Sequence, residues 1–347
     1  KTLLRINCRI HIGTATMPSV LYNELLEILG GYNEVYEVKL PDSILNDFNR
    51  HEVYKEKDES CIIPILKKAI SNNEKILVIY NTVGQAQEAF KSIKEEFSDI
   101  PKMLIHSRFR RVDRVALEAQ LKSDFNGDGS EQTDNGFSPC IVVSTQVVEV
   151  SLDISFDRMI TQCAPLDSLI QRFGRINRKR TLQTIKKFKP VHVIAPNDNV
   201  LPYKRDILEK SFDQLPNEGN ILKECELQSK IDNVYSSLDL KKIDGYFIYK
   251  KGQYTLKELT HTRKAVLIEA LEIEGATCIL EDDREDYLKA SWEERVQLEI
   301  PINWKTIARH RNKYEQLNVG SNPFVIPQSF EDCQLYGLQL VEPENIL

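Results

Sequence analysis

Residues 164–180, APLDSLIQRFGRINRKR, hold the side chains in this sequence with the clearest capacity for chemistry. On a helical wheel of about 100° per residue, Leu166, Leu169, Ile170 and Phe173 fall on one side, while Gln171, Arg175 and Arg178 cluster within about 60° on the other. One side is built for burial; the other presents guanidinium groups, planar cations whose forked donors suit phosphate. Gly174 complicates the helix, since a glycine there can form a left-handed cap and leave Arg175 and Arg178 on a tight turn pointing the same general way. Residues 172–189 carry eight Lys or Arg and no acid, a basic island whose plainest account is a solvated helix face.

Immediately upstream, residues 140–154 read CIVVSTQVVEVSLDI: an apolar run fit for a buried strand, with Ser144 and Thr145 at its carboxyl edge. The carboxyl ends of parallel strands, beside helix N-termini, are where phosphates and nucleotides bind, although Ser and Thr there serve equally as helix caps. The same layout recurs in GTATMP (13–18), IYNTV (79–83) and LIHSRF (104–109), each placing polar residues at the end of an apolar run.

Positioning such edges requires a particular frame. From residue 1 to about 198, short apolar runs alternate with amphipathic segments, the pattern of an α/β fold with a parallel sheet and covering helices. Strands are expected at 9–14, 34–38, 76–80, 103–106, 141–144, 158–162 and 191–194, and helices at 19–29, 61–71, 84–97, 113–125 and 166–173. The charged stretch 41–60 reads as an inter-domain connection, and the Gly-, Ser- and acid-rich 126–139 as a loop. Helical patterns at 204–215 and 222–238 then give way to short mixed segments, with eleven acids against three bases in 269–299. The 347 residues divide into 1–40, a linker at 41–60, 61–198, a helical connector at 199–250 and a C-terminal module at 251–347, whose Trp292 and Trp304 are expected in its core.

Composition narrows the classes. With 46 Lys plus Arg against 52 Asp plus Glu, a net charge of −6, the chain is no general polyanion binder, which leaves room for a local basic stripe. Seven scattered cysteines, never in a C-x-x-C pair, read as reduced core thiols rather than a disulfide framework or zinc site. No apolar run reaches the roughly 18 residues of a membrane span and no secretory signal is visible, so a cytoplasmic location is expected. The run DFNGDG (124–129) imitates a calcium loop, but its twelfth position is Asn135, where the ion needs a bidentate Glu.

The ordered set TATMP, VIYNTV, LIHSRF with Arg114 downstream, STQVVEVSLDI and QRFGRINR resembles the second half of a superfamily 2 helicase, with Q-R-x-G-R-x-x-R its arginine-finger signature. More specifically, STQVVEVSLDISFD followed by APLDSLIQRFGRINR, together with HSRF, resembles the CRISPR-associated helicase-nucleases of type I interference systems. The likeness covers residues 10–196 by motif and the remainder by layout. It implies an α/β fold with a RecA-like parallel-sheet domain at 61–198, the remnant of a first RecA-like domain at 1–40 and a C-terminal accessory domain. By the same resemblance, Gln171, Arg175 and Arg178 face the γ-phosphate of ATP, and Asp153, near the ribose, and Arg172 contact the nucleotide. Tyr80, Asn81, Thr82, His106, Ser107, Arg108, Thr145 and Gln146 would hold a single DNA strand, and Thr14, Ala15 and Thr16 would couple nucleotide state to it. The implied partners are single-stranded DNA and a crRNA-guided surveillance complex, with no membrane.

Two parts of that family's pattern are missing. None of the fourteen glycines precedes a Lys, so no G-x-x-x-x-G-K-[ST] loop exists, and Asp58-Glu59 follows a charged run rather than a strand, in the wrong order for a magnesium motif. No His precedes an Asp, as the nuclease metal site requires. The chain is therefore expected to begin near the end of the first RecA-like domain and to be inactive alone. ATP and Mg2+ would be held mainly upstream, and the nuclease metal wholly so. An RNA helicase of the same superfamily and a non-catalytic nucleic-acid-binding module are the alternatives.

Overall fold

A parallel sheet covered on both faces has no solvent side, so its strands are apolar throughout rather than alternating. In a computed structural model, which describes residues 8–14, 16–126, 137–149, 153–178, 184–237, 247–250, 253–256, 275–308 and 312–340, the apolar runs form such a sheet. Strands β1 (His51–Glu56), β2 (Lys75–Ile79), β3 (Lys102–Ile105), β4 (Cys140–Ser144), β5 (Arg158–Gln162), β6 (Lys189–Ile194) and β7 (Asn220–Ile221) lie in the order β3-β4-β2-β5-β6-β1-β7. The pairs β2–β4, β2–β5, β5–β6 and β6–β1 are parallel, and β7 closes the β1 edge antiparallel. Every residue of β2, β4 and β5 is buried.

The chain divides into two units, Lys1–Met103 with Leu121–Leu238, and Leu104–Gln120 with Asp239–Leu347. The first holds helices α1 (Ser19–Leu29), α2 (Asp42–Asp47), α3 (Ile62–Ser71) and α4 (Val83–Glu96); the second claims α5 (Arg111–Gln120); and α6 (Leu166–Phe173), α7 (Arg205–Asp213) and α8 (Leu227–Val234) return to the first. Helical spacing explains the packing: α3 buries Ile62, Leu66 and Ala69, and α4 buries Ala86, Phe90 and Ile93. α1 ends at Gly30, whose φ of 102° only glycine tolerates cheaply, and its start is tied to α8, where the Ser19 amide and hydroxyl both donate to Asp232 at 2.7 Å.

Three sequence expectations are corrected. Residues 51–56, read as linker, form β1. The strand escapes a periodicity search because only Val53 among its six residues is aliphatic, its polar side chains being paired across the sheet instead. Glu56 accepts from His192 at 2.8 Å, His192 meets Arg158 at 2.9 Å, and Arg158 grips Glu74 through two nitrogens at 2.6 and 3.1 Å. Residues 9–14 and 34–38 are not strands: Ile10, Ile12, Tyr36 and Val38 are exposed by 39, 47, 91 and 77%, with no sheet neighbour among the described residues. Residues 104–120, assigned to 61–198, cluster with the C-terminal part.

The second unit is built on β10 (Ala276–Leu280) between β11 (Ile300–Ile302) and β12 (Phe324–Ile326), after a hairpin of β8 (Phe247–Lys250) and β9 (Gln253–Leu256). Short helices α9 (Arg284–Lys289), α10 (Trp292–Leu298), α11 (Trp304–Ala308) and α12 (Phe330–Tyr336) connect them. Its core comprises Cys278, Leu280, Ile300, Ile307, Phe324 and Cys333, with Trp304 packed against them. Trp292, expected inside, is 71% exposed: it directly follows Ser291, the N-cap of a capping box, in a helix with no buried residue. Cys8 is likewise exposed, while Cys140, Cys163, Cys278 and Cys333 are buried thiols. Most of the 126–139 loop lies outside the described residues. Among those described, no helix is long and apolar enough to cross a membrane.

Candidate functional site

The carboxyl ends of β4, β2 and β5 lie side by side, so the loops that follow them are neighbours. After β2, the Tyr80 amide donates to Ser144 O at 2.9 Å and the Asn81 amide to Gln162 Oε1 at 2.8 Å, carrying the sheet's bonding one step beyond the strand. Thr82 then caps α4, its hydroxyl accepting from the Gln85 amide. After β4, Gln146 begins a short 3-10 turn and donates from Nε2 to Asn81 O at 2.7 Å.

Arg172 joins these loops to α6. Its side chain has no exposed surface. Nη1 donates to Thr161 Oγ1 at 2.8 Å and Gln162 O at 3.2 Å, Nη2 to Asn81 Oδ1 at 3.0 Å, and Nε to Glu149 Oε1 at 2.8 Å. A guanidinium is tolerable in such a place only because every direction of its fork meets an acceptor and one of them is charged. Burial pushes the Glu149 carboxyl up, with Arg172 opposing. The same residue reaches α6's far end, where Glu149 O accepts from Arg175 Nη2 at 2.6 Å. Glu149 thus holds Arg172 by its side chain and Arg175 by its backbone.

α6 does not end on a left-handed glycine. Gly174 is right-handed, at φ −57°, and the left-handed residue is Asn177, at φ 50°. The intervening turn is fastened by the Phe156 amide donating to Arg175 O and the Arg178 amide to Ser155 Oγ. Arg175 is 7% exposed and its pKa is depressed by burial, with Arg178 adding repulsion. Arg178 pairs with Asp153 at 2.8 Å, and Gln171 is exposed. Arg50, in the stretch read as linker, has its pKa lowered by burial and further by Arg178. The result is a cationic lip on a rigid base. The Arg178–Asp153 pair is solvent-accessible, worth about 1 kcal/mol or less, so a phosphate could displace Asp153 at little cost.

Residues 72–181 match the family model of the C-terminal part of the CRISPR-associated nuclease/helicase Cas3. A relative assigned to that family in Methanocaldococcus jannaschii is 31% identical over 248 residues, 69% of this chain and 33% of its own. The chain is homologous to the C-terminal helicase region of Cas3. Crystal structures of T. fusca Cas3 and of T. fusca Cas3-AMPPNP each superpose with a TM-score of 0.61 at 18% identity, covering 85% of this chain and 40% of that one. A chain of a CRISPR RNA-guided surveillance complex in a pre-nicking state gives 0.57 at 18% identity, with 84 and 44% covered. The chain spans about a third of the length of the M. jannaschii Cas3 protein. These structural likenesses establish the RecA-like α/β fold.

Set against the residues expected from the Cas3 resemblance, the first unit links Arg178 to Asp153, Arg175 to Glu149 after the 145–146 loop, and that loop to the 80–82 loop, with Gln171 exposed on α6. Tyr80, Asn81, His106, Thr145, Arg172 and Arg175 are all buried, and for Asn81, His106 and Arg172, whose polar atoms are engaged within the protein, this corrects the expected direct contact. Arg172 is saturated within the sheet edge and presents nothing to a nucleotide. Asn81, 7% exposed, donates from Nδ2 to Cys163 O and accepts from Arg172. His106, in the second unit, is fully buried: Nδ1 accepts from the Arg108 amide, so Nε2 carries the proton and donates to Tyr336 O at 3.0 Å. Tyr80 and Thr145 are buried at 2%, whereas Ser107 is exposed and Arg108 and Gln146 half-buried. Thr14 is exposed, its hydroxyl accepting from the Thr16 amide at 3.2 Å, and Ala15 lies outside the described residues. Sequence reasoning missed Glu149, Thr161, Gln162 and Arg50. Only Glu149 carried a signal, a lone acid within the apolar run VVEV.

Proposed function

We propose that this chain is the helicase portion of an ATP-driven translocase on single-stranded DNA, recruited to foreign DNA by a crRNA-guided surveillance complex and linked to an upstream nuclease. The observation that carries the reading is the Arg172 hub. One buried guanidinium fixes the loop after β2, the 3-10 turn after β4 and the helix bearing Gln171 as a single block, with Arg175 on the turn just beyond that helix, so displacement of Arg175 moves Glu149 and, through Arg172, Asn81. Nucleotide occupancy and strand grip are then mechanically one variable.

The cationic lip fits ATP: Arg175 and Arg178 would hold the γ-phosphate with Gln171 beside them, and Asp153, released by Arg178, the ribose. Hydrolysis of bound ATP supplies the free energy for movement. Mg2+ and the remaining phosphate contacts fall to a first RecA-like domain, because this sequence has no G-x-x-x-x-G-K loop. The exposure of Ile10, Ile12, Tyr32, Tyr36 and Val38 supports docking of residues 8–40 on that domain, with Thr14 and Thr16 coupling the two. Tyr80, Thr82, Thr145 and Gln146 would meet the strand through their loops, and Ser107 and Arg108 through their side chains. Likeness to a surveillance-complex chain supports the proposed recruiter.

The test is ATP hydrolysis by the full-length protein with single-stranded DNA or RNA added. DNA-specific stimulation, abolished by Arg175→Ala or Arg178→Ala with oligonucleotide binding retained, is expected. Stimulation by RNA alone, or wild-type turnover in both variants, overturns the assignment.

A further inference from the structure

The second unit contains an unexpected joint. The 106–111 segment, which carries Ser107 and Arg108, is bound to the C-terminal chain by backbone as much as by side chain. Leu338 N donates to Arg108 O at 2.6 Å, His106 Nε2 donates to Tyr336 O at 3.0 Å, and Arg111 N donates to Glu299 O at 3.2 Å. Arg110, 6% exposed, grips Asp113 through two nitrogens at 2.6 and 2.9 Å, donates from Nη1 to Asp283 at 2.8 Å, and lies 4.3 Å from the Phe330 ring.

The C-terminal side of this joint is itself fixed. Gln328 donates to Gly337 O and accepts from the Gln339 amide, bracing the 337–339 strap, and Glu299 accepts from Tyr287 and Ser321. Gly337 sits at φ +69°, and a Cβ there would lie 2.3 Å from His106 Cε1 and 2.8 Å from Arg108 O. Only a glycine lets the strap approach the segment so closely.

We infer that the C-terminal part of the chain is the frame that sets the position of Ser107 and Arg108, with Gly337 and Asp283 as positioning residues for strand engagement. This rests on the reading of Ser107 and Arg108 as strand contacts. Buried neighbours on both sides leave the segment one conformation, in which His106, Phe109 and Arg110 point inward and Ser107 outward. The partner served is the phosphate backbone of a single strand, since Ser107 offers an exposed hydroxyl and the next residue, Arg108, a half-buried guanidinium whose charge burial leaves poorly solvated, and such groups recognise phosphate without reading bases.

The test uses the full-length protein with a fluorescent single-stranded oligonucleotide. Gly337→Ala and Asp283→Ala are each expected to weaken binding about tenfold, roughly one charge-assisted hydrogen bond. They should also lower the slope of log affinity against log salt by about 0.7, one phosphate contact. ATP turnover without DNA should stay at the wild-type value. Ser291→Ala, which removes the capping box of α10 without touching the segment, is the matched control, expected to lower the melting temperature and leave the salt slope alone. If Gly337→Ala does not fold, Asp283→Asn, which keeps the shape and removes the charge, replaces it. Unchanged affinity and slope in the variants overturn the inference while leaving the function standing. Absence of single-strand binding by the wild type overturns both.

Discussion

Replacing Arg172 by Met tests whether the hub is an electrostatic joint or simply filler. The variant removes four hydrogen-bonding contacts and leaves Glu149, whose side chain is 10% exposed, without its cation. Burial already raises that carboxyl, and Arg172 is the first of the groups that hold it down. With Arg172 gone, burial pushes that carboxyl further up, and only the weaker pull of Arg175 still opposes it. Its folded pKa then lies above the unfolded value of about 4.3, so the folded state holds the proton more tightly. Stability is fully present below that unfolded value and is lost as pH rises through the folded one. Relative to wild type, Arg172→Met should therefore lose more stability at pH 8, where the broken pair costs the full figure of about 3–5 kcal/mol, than at pH 4.5, where the carboxyl can take a proton. Glu149→Ala leaves a cation that cannot deprotonate, and should cost about 3–5 kcal/mol at both pH values. The double variant Arg172→Met with Glu149→Leu should recover to within about 1 kcal/mol, because a buried pair replaced whole by apolar groups loses little. Urea unfolding at pH 4.5 and pH 8 measures all three. An equal loss at both pH values for Arg172→Met would show that Glu149 is not left buried and uncompensated, and would refute the argument.

Arg175→Ala and Arg178→Ala in the full-length protein should each cut ATP turnover by about 10³ to 10⁵, or 4–7 kcal/mol at the barrier, measured by phosphate release. His106, driven by burial to about 3, should stay neutral: its ring carbon shift, followed by NMR, is expected to be flat from pH 8 to pH 4, and a midpoint near 6.5 would mean the ring is not enclosed. The sign is that of a depressed base, so the stability it contributes is present above about pH 6.5 and lost as pH falls towards 3. Gly219→Ala, at φ +75° with its added Cβ 2.8 Å from the Tyr54 hydroxyl, should destabilise β7 against β1 by more than about 1 kcal/mol, read as faster hydrogen exchange at Gly219 and Leu222.

The buried parallel strands were readable from sequence because apolar runs of four or five residues have few other fates, and the helices because their burial period is unambiguous. β1 was hidden for the opposite reason. Its polar residues find their partners at distant positions, Glu56 on His192 of β6 and His51 on Ile176 O, which no local window contains. The arginine lip was legible from the spacing of Gln171, Arg175 and Arg178, but the inward turn of Arg172, Asn81 and His106 was not. A motif records which residues recur together; it does not record which of them face the ligand and which hold the others in place. Residues 9–14 and 34–38 failed in a third way: alternation is a request for a sheet, and nothing local grants it.

The position of β1 also dictates when the first unit can be made. His51 pairs with Lys189 and Glu56 with Ile194, so a strand synthesised early waits for one synthesised late. A nascent chain that has not yet delivered β6 from the ribosome leaves Glu56 without His192, and Val53 without its aliphatic neighbour Val191. Closure of so long a loop is slow, and during it the apolar β2, β4 and β5 can assemble only a partial sheet with an open edge. That edge is a vulnerable surface during synthesis, and chaperone demand should peak while residues 140 to 190 are emerging.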